Sequence, residues 1–116
     1  MLNNRGIMRS FVYPAKLSPE KKDGFTVRFP DLPEAITSGK DRADALLQAA
    51  DCLEEAVAAR IADGLDLPMP SVAGRNRILV PLPAAMVAKA ALYLSIRGTQ
   101  PVSGTQPRGE RRKQTQ

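Results

Sequence analysis

The 116-residue chain contains no histidine and no tryptophan, a single cysteine (Cys52), and only three Phe and two Tyr. Without histidine there is no Cys–His dyad, and the common mixed Cys/His zinc sites are excluded. One cysteine cannot close an internal disulfide, which is the pattern of a reducing compartment, so a cytoplasmic location is expected. No apolar run reaches the roughly 18 residues of a membrane span, and the N-terminus has no apolar stretch resembling a signal peptide. With aromatics at 4% of residues, the core must be built mainly from Leu, Val, Ile and Ala.

Charge of one sign is also missing from the body of the chain. The formal net charge is +5, which taken alone suggests a nucleic-acid binder. Residues 11–97 nevertheless hold eleven basic and eleven acidic groups. The excess sits at the ends: Arg5 and Arg9 at one, Arg108, Arg111, Arg112 and Lys113 against Glu110 at the other.

What is present reads as one domain of about 10–97, between a flexible extension (1–9) and a basic tail (98–116). Met8 offers an alternative start. "SFVYPAKL" (10–17) is a strand whose Pro14 calls for an edge or a bulge. "SPEKKDG" is a turn. "FTVRF" (25–29) alternates, with Phe25, Val27 and Phe29 on one face. Pro30 and Pro33 then stiffen a short loop that presents Asp31 and Leu32. "AITSG" (35–39) is a third strand, with Gly39 allowing a positive φ before a helix.

That helix is expected over about 42–63. Asp41 is its N-cap, Asp44 completes a variant capping box, and Gly64 ends it. Leu46, Ala49, Leu53, Val57 and Ile61 mark the buried stripe, while Asp44, Gln48, Asp51 and Glu55 form another face. After the connector "LDLPMPS", "RILVPL" (77–82) reads as a strand buried on both faces. "AAMVAKAALYLSIR" (84–97) reads as a second helix. The order β-β-β-α-β-α is an α+β arrangement of a sheet and a covering helix. In the tail, Gly-Thr-Gln-Pro occurs twice and nothing after Val102 is apolar, so disorder is expected.

The run "GFTVRFPDLPEAITSGKDRADALLQAADCLEEAV", followed by "LPMPS" and "ILVPLPAAMVAKAALY", resembles the HicB family of antitoxins from HicA–HicB toxin–antitoxin pairs. The likeness covers about residues 9–97. It implies a partial RNase H-like β-β-β-α-β domain that binds and blocks a small RNA-cleaving toxin, with the antitoxin a homo-oligomer in the complex. Many members add a C-terminal DNA-binding module. Here the repeat-rich tail stands where that module would follow, so sequence-specific DNA binding is not expected.

An RNase H-like fold invites a nuclease reading, which needs carboxylates to hold metal ions. Neither "SFVYPAKL" nor "RILVPL" contains one. No catalytic residue, cofactor or metal is therefore expected. For Pro30, Asp31, Leu32 and Pro33 two readings stand: a plain turn, or a rigid knob that docks a partner with Leu32 in a pocket. Asp44, Asp51 and Glu55 are either solvated surface or the contact for a basic toxin. Cys52 reads as a small apolar residue. The tail cations serve solubility or weak nucleic-acid attachment. In mobility shifts at fixed salt, the promoter upstream of the chain's own gene should gain less than about a hundredfold preference over scrambled duplex, because no element is held in a groove.

Overall fold

Period-two alternation over the first third of the chain and helical periodicity over the second give a sheet and a helix that share one apolar interface. A computed structural model describes residues 11–98. The expected extension (1–9) and the tail beyond Gly98 lie outside the described residues. Four strands, β1 (Val12–Pro19), β2 (Phe25–Phe29), β3 (Leu32–Gly39) and β4 (Ile78–Pro81), form one sheet in the order β3-β2-β1-β4. Every neighbouring pair is antiparallel. Helix α1 (Arg42–Ala62) lies between β3 and β4 in the chain, and α2 (Ala84–Gly98) follows β4. The architecture is α+β, in the element order expected from the sequence.

Strand β1 changes partner midway. Val12–Ala15 pair with β4, and Lys16–Pro19 pair with β2. This accounts for Pro14, which occupies a central strand rather than the edge or bulge expected. Phe11 accepts from the amide of Leu82, so the odd-numbered residues of β1 bond towards β4. Pro14 turns its missing donor to the other side, where β2 has no pairing at that position.

Strand β3 begins three residues earlier than expected, because the turn is only Pro30 and Asp31, with Leu32 paired to Phe29. Pro at the first central position of a tight turn suits its fixed φ. The register then jumps, with the next pair Arg28–Ile36, leaving residues 33–35 unopposed. Pro33 falls in that irregularity on an edge strand, where a missing donor is tolerated.

Helix α1 is capped at both ends. The Asp41 carboxylate accepts from the Asp44 amide at 2.8 Å, and the Asp44 carboxylate accepts from the Lys40 amide at 2.9 Å. Gly64, at φ +68°, closes the helix: its amide donates to Ile61 and that of Leu65 donates to Arg60. That double bond is the Schellman arrangement. Gly39, in contrast, needs no positive φ. A Cβ there would lie 2.3 Å from the Ala45 amide nitrogen, so glycine allows the helix start to approach β3.

The helix buries Ala45, Ala49, Leu53, Ala56 and Val57. The expected stripe is thus shifted slightly around the axis: Leu46 is partly exposed and Ala45 takes its place. Small residues at 45, 49 and 56 let α1 lie close to Val27, Phe29 and Ala35 in the shared core. Strand β4 buries one face, not two: Val80 is buried while Leu79 is exposed. Helix α2 adds Val87 and Ala90 to the core, with Met86, Tyr93 and Leu94 half-buried.

Leu53→Ala should cost roughly 2–5 kcal/mol, because the helix cannot collapse fully onto the cavity. Leu46→Ala should change stability by under about 1 kcal/mol. Urea midpoints of the two variants check the helix rotation directly.

Candidate partner-binding surfaces

Leu32 is fully buried, at 0% exposure. The expectation that it is presented to a partner is corrected: the two-residue turn returns it into the core against β2. Asp31 is half-buried and occupied, accepting from the Ser71 amide at 2.9 Å and from the Ser71 hydroxyl at 3.1 Å. Pro30 and Pro33 are exposed. The stretch therefore acts first as a turn and as an anchor for the connector after α1.

That connector carries backbone carbonyls with no ladder of their own, and side chains from three elements satisfy them. The Tyr13 hydroxyl donates to the Pro68 carbonyl at 2.7 Å. Burial, helped by the charge of Asp31 and opposed by Arg60, pushes the Tyr13 phenol up to about 12. Arg60 donates to both oxygens of Glu34, at 2.6 and 2.8 Å, and to the Asp66 carbonyl at 2.8 Å. Tyr93 donates to the Leu65 carbonyl at 2.6 Å. Arg97 reaches the Gly64 carbonyl at 3.1 Å and the Asp66 carboxylate at 2.7 Å, with its guanidinium 5.4 Å from the Tyr93 ring centre. The Asp66 side chain is 90% exposed, so that ion pair contributes little. These partners lie 28 to 55 residues apart for the tyrosines alone, and nothing in the local spacing announces them.

On α1, the three expected acids share one side but not one role. Asp44 is engaged in capping; its carboxyl is held below the usual range by the Lys40 amide first and by Gln48 second. Asp51 and Glu55 are exposed and form no hydrogen bond or ion pair among the described residues. Leu47, one turn before Asp51, is 69% exposed. The ridge is therefore an exposed leucine followed by two free carboxylates at four-residue spacing. Cys52 is half-buried, and burial, with Glu55 and Glu34 adding, raises its thiol. A raised thiol has less thiolate character and so is a weaker nucleophile.

The opposite face of the sheet exposes Lys16, Arg28, Ile36 and Leu79. It carries a shallow depression of about 300 Å³ lined by Lys16, Arg28, Phe29, Pro30, Pro33 and Arg77. The structure thus separates the predicted residues: Pro30 and Pro33 border this cationic hollow, while Asp44, Asp51 and Glu55 lie on α1. Among the described residues, no group of three or more Cys, Asp or Glu is placed to hold a metal ion. No described helix is long and apolar enough to cross a membrane.

A family model described as a HicB-like antitoxin of bacterial toxin–antitoxin systems matches residues 12–91, which span the whole sheet, α1 and the first half of α2. The chain belongs to this antitoxin family. It is 37% identical over 83 residues to Antitoxin HicB 1 of Photorhabdus laumondii, covering 72% of this chain and 54% of that protein. Antitoxin HicB 2 of the same organism is 39% identical over 80 residues, covering 69% and 55%. Antitoxin HicB of Escherichia coli K12 is 32% identical over 80 residues, covering 69% and 58%. The match to each spans little more than half of the relative's length. In this HicB-like domain the PDLP stretch forms a turn with Pro30 and Pro33 exposed, and the α1 ridge is exposed as well.

The Arg60 guanidinium holds the Glu34 carboxyl below its ordinary 4.5. A depressed folded pKa contributes stability above the unfolded value and loses it as pH falls through the folded one. The stability difference between wild type and Glu34→Gln should therefore be present at pH 7 and shrink as pH falls below about 4.5. Urea titrations at both pH values check this; a gap that widens in acid would contradict the assignment.

Proposed function

We propose that this HicB-like chain binds a small HicA-like RNA-cleaving toxin through the exposed ridge of α1 and covers its RNA site, acting in the cytoplasm without catalysis of its own. The observation that carries the reading is the ridge itself: Leu47, Asp51 and Glu55 are exposed, and the two carboxylates form no hydrogen bond or ion pair among the described residues. A protein that grips RNA must offer positive charge to phosphates. A carboxylate ridge is complementary to such a surface, and complementarity steers association and suppresses wrong partners. Leu47 supplies the apolar anchor that charge alone lacks. Occlusion needs only tight binding, so no reactive group is required of the antitoxin.

The antitoxin names of the relatives support the role, and the extent of the family match supports placing it in residues 12–91. Pro30 and Pro33 offer a second exposed contact, with Asp31 fixing the turn between them and the connector.

Co-expression with the cognate toxin tests the reading. Wild type should restore growth. A chain with Asp51→Lys and Glu55→Lys should not, while its thermal midpoint stays close to wild type because both positions are exposed. Full rescue by a folded double variant would remove the ridge from the interface. Loss of rescue in Pro30→Ala alone would move the contact to the turn.

A further inference from the structure

Lys16 and Arg28 are direct cross-strand partners between β1 and β2. Residues opposite one another in an antiparallel pair project from the same face. The β1–β4 register pairs Ala15 with Ile78, and continuing it by one residue sets Arg77 beside Lys16. Lys16 and Arg28 thus stand side by side on β1 and β2, and Arg77, immediately before β4, lines the same depression. Neighbouring strands are about 4.8 Å apart. All three line the depression of about 300 Å³, and none forms an ion pair among the described residues.

Like charges directly opposite destabilise a sheet. Here Lys16 and Arg28 are such a pair, with Arg77 lining the same hollow, in a body with no net charge. Six of the eleven acids of the body lie on α1 or its caps, and Glu20 accepts from Thr26, which projects from the same face as Arg28 two residues away. We propose that this cluster is a phosphodiester-binding site that takes the backbone of single-stranded RNA. An anion on the cluster relieves the repulsion between Lys16, Arg28 and Arg77, and a chain of phosphates can meet successive cations. The remaining walls are the proline rings of Pro30 and Pro33 and the base formed by Phe29. Phe29 is 1% exposed, so its ring is not free to stack on bases. Recognition is by charge and is independent of base sequence. The site lies apart from the α1 ridge and does not rest on toxin binding.

The test uses the full chain with Arg108, Arg111, Arg112 and Lys113 changed to Gln, so that tail cations do not contribute. Fluorescence anisotropy follows a labelled oligoadenylate over a salt series. Adding Lys16→Gln, Arg28→Gln and Arg77→Gln should weaken binding and make the slope of log K against log salt shallower by about 2, at roughly 0.7 per phosphate on a single strand. The thermal midpoint of the triple variant should equal or exceed its parent's, because repulsion has been removed. Unchanged affinity and slope would overturn the proposal. So would tighter binding of labelled polyglutamate than of RNA, which would make the cluster an acidic-peptide site. Salt-sensitive self-association abolished by the same substitutions would also overturn it, in favour of a contact between copies.

Discussion

Residues 12–15 of β1 bond to β4 and residues 16–19 bond to β2, so a single strand joins the β1–β2–β3 meander to the segment that returns after α1. Much else follows from this division. It gives Pro14 a place in a central strand. It puts Tyr13 and Ala15 on the inner face beside Val80, where all three are buried. It also sets Lys16 at the junction, next to Arg28 on one side and the extended line of Arg77 on the other. Because β4 runs antiparallel to β1, the chain cannot pass directly from the end of α1 into the sheet. It needs the connector around residues 63–77, and the connector needs partners for its carbonyls. Tyr13, on β1 itself, supplies one of them.

Zero net charge in the body conceals a polar molecule. Acids gather along α1, where capping favours them near the helix start. Lys16, Arg28 and Arg77 cluster at the outer sheet face, where none of them forms an ion pair among the described residues. An acidic ridge on α1 and a cluster of three cations on the sheet thus lie at separate places. A net-charge argument treats the body as inert towards phosphate; the register of three strands makes one face suited to it. For an antitoxin, the two faces allow a basic protein and an anionic chain to be engaged at separate places.

The parts of the fold set by local chemistry were legible in the sequence. Asp41, Asp44 and Gly64 marked the ends of α1 through hydrogen bonds made within a few residues. Phe25, Val27 and Phe29 marked β2 by alternation. What was not legible depends on distant contacts or on small rotations. Leu32 reads as an exposed loop residue until the turn is known to contain only two residues; then it must point inward beside Phe29. Leu46 and Ala45 exchange places because a slight turn of the helix brings alanines, not leucine, against the sheet. The ties from Tyr13, Arg60 and Tyr93 to the connector join residues far apart in sequence. The cluster of Lys16, Arg28 and Arg77 exists only once strand register is known. The candidate surfaces were therefore half visible: the acids of α1 were identified, but the exposed Leu47 among them and the cations opposite were not.

Under the proposed function, the chain silences a toxin by covering its RNA site through the α1 ridge. The most direct measurement is a titration of purified cognate toxin with the full chain, following cleavage of a labelled RNA under toxin concentrations well above the dissociation constant. Occlusion gives a linear fall in cleavage to zero at a fixed molar ratio, with undamaged RNA recovered. Cleavage that continues at the starting rate in excess antitoxin, despite a complex visible by size-exclusion chromatography, would contradict occlusion and place the bound surface away from the toxin's RNA site.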